Sequence, residues 1–207
     1  MNKGQRIFIT GIGTDIGKTL AATILVEALH ADYWKPVQAG SLNDTDSDFV
    51  QRMISNEVSV IHPESFRLTE PMSPHAAAKI DGVKIRLRDF HLPHTNNTLI
   101  IEGAGGILVP LNEKLLVIDL IEKLDADVII VIRNYLGSIN HSLLTIEAAK
   151  SRKLKIAGLI INGEPNKASE EIILRHSNLP LLGRIFTETE ITQAIISKYS
   201  EQFEFFK

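Results

Sequence analysis

The sequence predicts an α/β protein built on a doubly wound, mainly parallel β-sheet with helices on both faces. Three observations carry that prediction. A glycine-rich stretch, Gly11-Ile12-Gly13-Thr14-Asp15-Ile16-Gly17-Lys18-Thr19, joins a short apolar run, Ile7 to Thr10, to a helical run, Leu20 to Leu29. Apolar strands and helical stretches then alternate to the end of the chain. One of those strands, Asp127 to Ile132, is almost wholly β-branched, the pattern of a strand covered on both faces.

The elements follow in order. After the first helix, Asp32 to Val37 reads as a short strand, which Pro36 confines to an edge or a strand end. Asp44 to Asp48 alternates acids with Ser and Thr, a helix-capping region leading into Phe49 to Ile54. Residues 55 to 75 hold three prolines and little periodicity, so they read as loop around a short strand at Ser65 to Leu68. Ser73-Pro74-His75 opens a further helix, with proline in its first turn. Thr98 to Ile101 is a compact apolar strand ending at Glu102-Gly103-Ala104-Gly105-Gly106. Leu115 to Leu124 is an amphipathic helix, and Ile139 to Ser151 is another. Ile156 to Ile161 is a strand ending at Asn162-Gly163. A helix at Lys167 to His176, a strand at Leu181 to Ile185 and a helix at Glu188 to Tyr199 complete the chain. The tail Phe203 to Lys207 is apolar but short, a packing segment. No repeat or linker interrupts the 207 residues, which are expected to form one domain.

Composition excludes several classes of function. The formal net charge is −3, so no basic surface points to nucleic acid or anionic lipid. There is no cysteine, which removes thiolate catalysis and disulfides and suits a reducing cytosol. The seven histidines lack ligand spacing. No signal-peptide pattern or membrane-length apolar run is present. The expectation is a cytoplasmic protein with small-molecule partners.

In a parallel sheet ligands gather at the carboxyl ends of the strands, and here those ends carry chemistry. A glycine-rich turn before a helix offers backbone N–H groups at a positive helix end, where a polyphosphate can sit. Lys18 would reach the outer phosphates and Thr19 would ligate Mg²⁺. Counted from Gly11, the loop is one residue longer than the common form of this motif. Glu102 stands where a carboxylate could hold Mg²⁺, or is a plain strand-end acid. Gly103 to Gly106 either admit a ligand close to the backbone or make a turn. Asp48 is a Mg²⁺ ligand or an ordinary helix-cap acid. Lys35 is a second ammonium suited to an acyl phosphate or carbamate, or a surface lysine. Asn162 reads an adenine edge or merely forms a turn before Gly163.

The chain resembles the dethiobiotin synthetase family. The resemblance rests on Gly11-x5-Gly17-Lys18-Thr19, Lys35-Pro36-Val37, Ser47-Asp48, Ser73-Pro74-His75, Glu102-Gly103-Ala104-Gly105-Gly106, Leu136-Gly137-Ser138-Ile139-Asn140-His141 and Pro180-Leu181-Leu182-Gly183, in that order along nearly the whole sequence. It implies a P-loop NTPase fold and a cytoplasmic homodimer. It also implies an ATP-dependent ligase that converts 7,8-diaminononanoate and CO₂ or bicarbonate to dethiobiotin through a carbamate and its phosphoric anhydride. It implies catalytic roles for Lys35, Lys18 and Thr14, and an ATP site at Gly13, Asp15, Ile16, Gly17, Lys18, Thr19, Leu20, Asp48, Glu102, Gly103, Ala104 and Gly105. Asn162, Gly163, Phe186, Thr187 and Glu188 would read the base. Mg²⁺ would lie on Thr19, Asp48 and Glu102. The substrate would meet Ala39 and the helix start Gly137, Ser138, Ile139 and Asn140 of the partner subunit. Ala39 stands where the family usually has Ser or Thr, Asp15 where Glu is more usual, and Arg184-Ile185-Phe186 where Ile-Pro is common.

Two rival readings share the fold. A cobyrinate-type amidoligase also activates a carboxyl-like group, but such chains usually carry a glutaminase domain with a catalytic cysteine. A ParA- or MinD-like ATP switch differs at the loop, where a lysine near the start is replaced by Gly11-Ile12-Gly13.

Overall fold

The computed structural model describes residues 4–206. Seven strands form one sheet: β1 (Arg6–Gly11), β2 (Asp32–Trp34), β4 (Ile61–His62), β6 (Leu99–Glu102), β7 (Asp127–Arg133), β8 (Ile156–Asn162) and β9 (Leu181–Ile185). Their order is β4-β2-β6-β1-β7-β8-β9, and every neighbouring pair is parallel. The predicted sheet is therefore present. From β1 the chain moves one way to β2, and from β7 it moves the other way to β8. Right-handed crossovers in opposite directions place helices on opposite faces. The reversal falls beside β1, so the loop after β1 and the end of β6 face one another, with Ile9 in register with Glu102.

The helix α1 (Lys18–Leu29) is buried nearly all round, through Ala21, Ala22, Ile24, Leu25, Val26 and Ala28. An apolar helix of that kind belongs in the interior. It packs against α2 (Asp46–Met53), α7 (Gln193–Ser200) and β6. On the other layer α5 (Ser138–Ser151) packs against α6 (Lys167–Ser177). The amphipathic α4 (Val117–Leu124) buries Val117, Ile118, Leu120, Ile121 and Leu124. Strand β7 is buried from Val128 to Ile132, as its β-branched run predicts.

Four differences from the sequence reading have clear causes. The expected strand 32–37 is two strands, because Lys35-Pro36 turns the chain out of the main sheet. Its second half, β3 (Val37–Ala39), pairs instead with β5 (Phe66–Leu68) in a small parallel sheet. Helix α2 starts at Asp46, since Thr45 accepts the Asp48 N–H and fixes the cap there. Helix α7 begins at Gln193 rather than Glu188, with Thr192 capping Ile195. The edge strand β4 and the 3₁₀ turns at Leu87–Asp89 and Glu201–Phe206 are too short to carry a periodic signal. The helix predicted at Ser73-Pro74 is α3 (Pro74–Ile80). Phe203 is buried, and the side chains of the rest of the tail lie outside the described residues. Among the described residues, no helix is long and apolar enough to cross a membrane.

Candidate active site

The loop between β1 and α1 is held in shape by its own backbone. Asp15 and Gly17 both have positive φ, 55° and 91°, and alternate with ordinary residues. Such alternation turns successive N–H groups to one concave side, where an anion can bind. Gly17 is required twice over. Its φ favours glycine, and a Cβ there would lie 2.1 Å from the Asn162 Nδ2. The Lys18 ammonium donates to the Gly13 carbonyl at 2.7 Å, folded back over the loop.

Beside the loop, at the ends of β2 and β6, lies a group of wired charges. Glu102 is 0% exposed, a cost that burial imposes on any ionised carboxylate unless donors surround it. Three donors do. Thr19 Oγ1 and Lys35 Nζ donate to its Oε1 at 2.8 and 2.9 Å, and the Tyr33 hydroxyl donates to Oε2 at 2.7 Å. Lys35 is itself 4% exposed and pairs also with Asp46 at 2.5 Å. It is therefore not a surface lysine. Burial alone would lower its pKa, but Glu102 and Asp46 outweigh that and hold the ammonium above the usual lysine range. For Lys18 burial prevails and lowers the pKa, with Glu102 opposing and Lys35 adding to the fall. Burial and then the Glu102 charge push the Tyr33 phenol well above its ordinary value.

These groups open onto one cavity of about 840 Å³, a size that suits a nucleotide and a small substrate. Thr14, Asp15, Gly17, Lys18, Thr19, Leu20, Lys35, Ala39, Glu102, Ala104 and Gly105 all line it. Gly13, Ile16 and Gly103 lie in the same loops without lining the cavity. Asn162, Gly163, Phe186, Thr187 and Glu188 are absent from its wall too. Asn162 Nδ2 donates to the Ile16 carbonyl at 2.9 Å, and the Tyr199 hydroxyl donates to Glu188 while accepting from the Phe186 N–H. Arg184 pairs with Glu170, and its guanidinium lies 5.7 Å from the Phe186 ring centroid. Gly137, Ser138, Ile139 and Asn140 start α5 and do not line the cavity of the single chain.

The Asp48 carboxylate accepts from the Thr45 N–H at 2.8 Å and from the Thr45 hydroxyl at 2.7 Å, closing a capping box, and does not line the cavity. Asp46 lines it instead. Thr45-x-x-Asp48 is a capping-box pattern legible in the sequence, and it ties Asp48 to the helix start. Gln38, Ser41 and Ser73 also line the cavity; no residue pattern marks Gln38 or Ser41 as a ligand, and Ser73 lies in the Ser73-Pro74-His75 motif.

The donor set fits a nucleotide with Mg²⁺. Among the described residues, no group of three or more His, Asp or Glu gathers as a cage. Mg²⁺ usually needs none, keeping waters and taking one or two carboxylates plus phosphate oxygens. Thr19, Glu102 and Asp46 on one cavity match that pattern.

A parallel sheet with a phosphate loop after its first strand, a helix rising from that loop and a carboxylate on the adjacent strand defines a P-loop nucleotide-binding protein. The fold agrees with that of a putative plasmid partition protein from Borrelia burgdorferi bound to AMPPNP. The TM-score is 0.62 at 16% identity, over 97% of this chain and 96% of that one. At that identity the likeness is one of fold alone. A family profile described as an AAA domain matches residues 5–194. The ATP-dependent dethiobiotin synthetase of Cytophaga hutchinsonii is 50% identical over 95% of each chain. That of Christiangramia forsetii is 48% identical over 95% of this chain and 94% of its own. The chain belongs to the ATP-dependent dethiobiotin synthetase family and is an ATP-dependent enzyme.

Proposed function

We propose that the protein closes 7,8-diaminononanoate and CO₂ into the cyclic urea of dethiobiotin, converting ATP to ADP and phosphate. The observation that carries this reading is the pair of ammonium groups, Lys18 and Lys35, sharing one cavity with Glu102 and Asp46. Simple ATP hydrolysis needs one lysine at the phosphates. A second, buried lysine suits an additional anion.

In this reading one substrate amine captures CO₂ as a carbamate, and Lys35 holds its oxygens. The loop amides and Lys18 hold the triphosphate, with Thr14 and Asp15 at the loop's open side. Lys18 spans the carbamate and the γ-phosphate as charge gathers between them. Phosphoryl transfer gives a carbamic–phosphoric anhydride. The second amine attacks its carbonyl carbon, phosphate leaves, and the ring closes. Mg²⁺ supplies charge neutralisation at the phosphates, and Thr19, Glu102 and Asp46 would hold it, with Asp46 in the place first given to Asp48. Asn162, Gly163 and Phe186 to Glu188 would meet the base on the outer side of the loop.

The same reading takes residues 1–207 as one domain of a cytoplasmic homodimer. The helix start Gly137 to Asn140 of a second copy would receive the substrate carboxylate. Exposed apolar residues beside that start, Leu136 and Leu144, support an interface there.

The test is to incubate the purified protein with diaminononanoate, labelled bicarbonate and ATP. Labelled dethiobiotin with matching ADP is expected. Lys35→Ala should abolish ring closure, by about 10³-fold, while leaving ATP binding largely intact. ATP turnover stimulated by DNA or vesicles and indifferent to the diamine would overturn the reading in favour of a positioning switch.

A further inference from the structure

Two side chains from neighbouring strands grip the phosphate loop from behind, and only one of them has been given a role. Arg133 ends β7 and Asn162 ends β8, and the two residues are in register across the sheet. The Arg133 Nη1 donates to the Asp15 carbonyl at 3.1 Å, and the Asn162 Nδ2 donates to the next carbonyl, that of Ile16, at 2.9 Å. We propose that Arg133 is a positioning residue for the phosphate loop, acting with Asn162 as a clamp that turns two consecutive peptide groups amide-inward. The inference rests on the phosphate-loop reading of the site and deepens it.

The physical reason lies in the peptide unit. In a trans peptide the C=O and N–H point in opposite directions. Holding the Asp15 oxygen outward therefore sends the Ile16 N–H to the concave side, and holding the Ile16 oxygen does the same for the Gly17 N–H. A carbonyl oxygen turned inward would face a phosphate with like partial charge, so a free loop has an orientation that must be prevented. Asp15 sits in the left-handed region at φ 55°, where a non-glycine residue needs surrounding contacts to stay. Arg133 supplies one of them from 118 residues away. Its stem passes close to Gly163, where an added Cβ would lie 3.5 Å from the Arg133 Cγ. The clamp thus joins the loop to the end of β8. Preorganised amides bind an anion without first reorienting, so loosening the clamp should weaken phosphate binding rather than base binding.

The experiment compares wild type, Arg133→Met and Arg133→Lys by calorimetric titration with two probes, Mg²⁺–ATP and inorganic triphosphate with Mg²⁺. Methionine keeps most of the stem and removes the donor, at an exposed position where folding is spared; equal unfolding midpoints will confirm that. Both probes should bind Arg133→Met about tenfold more weakly, by the same factor, and Arg133→Lys should recover much of the loss. In turnover the KM for ATP should rise by a like factor, with the KM for the diamine unchanged. Unaltered binding of both probes would overturn the clamp, as would a loss confined to ATP, which would move Arg133 to the base. Wild-type protein that binds neither probe would overturn the phosphate-loop reading itself, and the clamp with it.

Discussion

Asp32 and Glu102 are carboxylates buried at opposite ends of the same sheet, with 2% and 0% of their surface exposed. Both are surrounded by donors, as burial demands. The donors differ in kind. Asp32, at the start of β2, accepts from the Val60 N–H at 3.1 Å, from Asn97 at 2.9 Å and meets the His62 ring at 2.8 Å. These come from β4 with the residue that leads into it and from the loop before β6, so the carboxylate ties the amino end of the sheet together. Glu102, at the carboxyl end, is held by Thr19, Lys35 and Tyr33. Two of those three are groups that a nucleotide, a metal ion or a carbamate would also engage. One buried charge is wired to stay, the other to exchange partners. Burial alone does not mark a functional acid; the identity of its partners does.

The largest effect expected from that difference is at Glu102. Glu102→Gln keeps the size of the side chain but turns an amide toward the Lys35 ammonium, leaving Lys35 with Asp46 alone. Because Lys35 keeps Asp46 as an ion partner, the loss should stay below about 3–5 kcal/mol, the cost of a buried charge left unpaired, and the variant should still be measurably less stable. Activity should fall by about 10²-fold, with an altered Mg²⁺ dependence. Steady-state kinetics over a Mg²⁺ series checks this. A variant with the wild-type metal dependence would remove Glu102 from the reactive class and make it a second Asp32.

A smaller effect separates two acids only two residues apart. Asp46→Asn should weaken the apparent Mg²⁺ affinity by about tenfold, since Asp46 lines the cavity and pairs with Lys35. Asp48→Asn should leave that affinity alone and slightly lower the thermal midpoint, because it disturbs only the capping box. The reverse ranking would make Asp48 the metal ligand and leave Asp46 only as a partner of Lys35.

Much of this was legible in the residues because it depends on local pattern. The glycine-rich turn, the β-branched run at Val128 to Ile132 and the proline-opened helix at Ser73 each report a backbone requirement that few other residues meet. Lys35 at a strand end was legible as a candidate, but its burial was not. That depends on Pro36 turning the chain into a second sheet and on Glu102 arriving from 67 residues away. That Asp46 lines the cavity and Asp48 does not has a local cause, one helix cap. Arg133 had no signal at all, since its hydrogen bond to the loop exists only once β7 lies beside β1.

The smallest effect on activity is expected at Asp32, and it is where pH discriminates. Burial raises the Asp32 pKa, but donors from Asn97, Thr95, His62 and the Val60 N–H outweigh it and hold the carboxyl below its ordinary value. A group with a depressed folded-state pKa stabilises the fold above its unfolded pKa, near 3.9. That stabilisation disappears as the pH falls through the lower folded value. Asp32→Asn cannot titrate, and its amide nitrogen faces donors where an acceptor is needed. The variant should be less stable than wild type by about 1–3 kcal/mol at neutral pH, with turnover per folded molecule unchanged. The gap between the two proteins should close as the pH drops below about 4, because protonation takes from the wild type what the substitution has already removed. Denaturant unfolding at a series of pH values measures this. A gap that stays constant from neutral pH down to about pH 3 would mean that the Asp32 charge contributes nothing to the folded state. The two buried carboxylates would then differ in more than their partners.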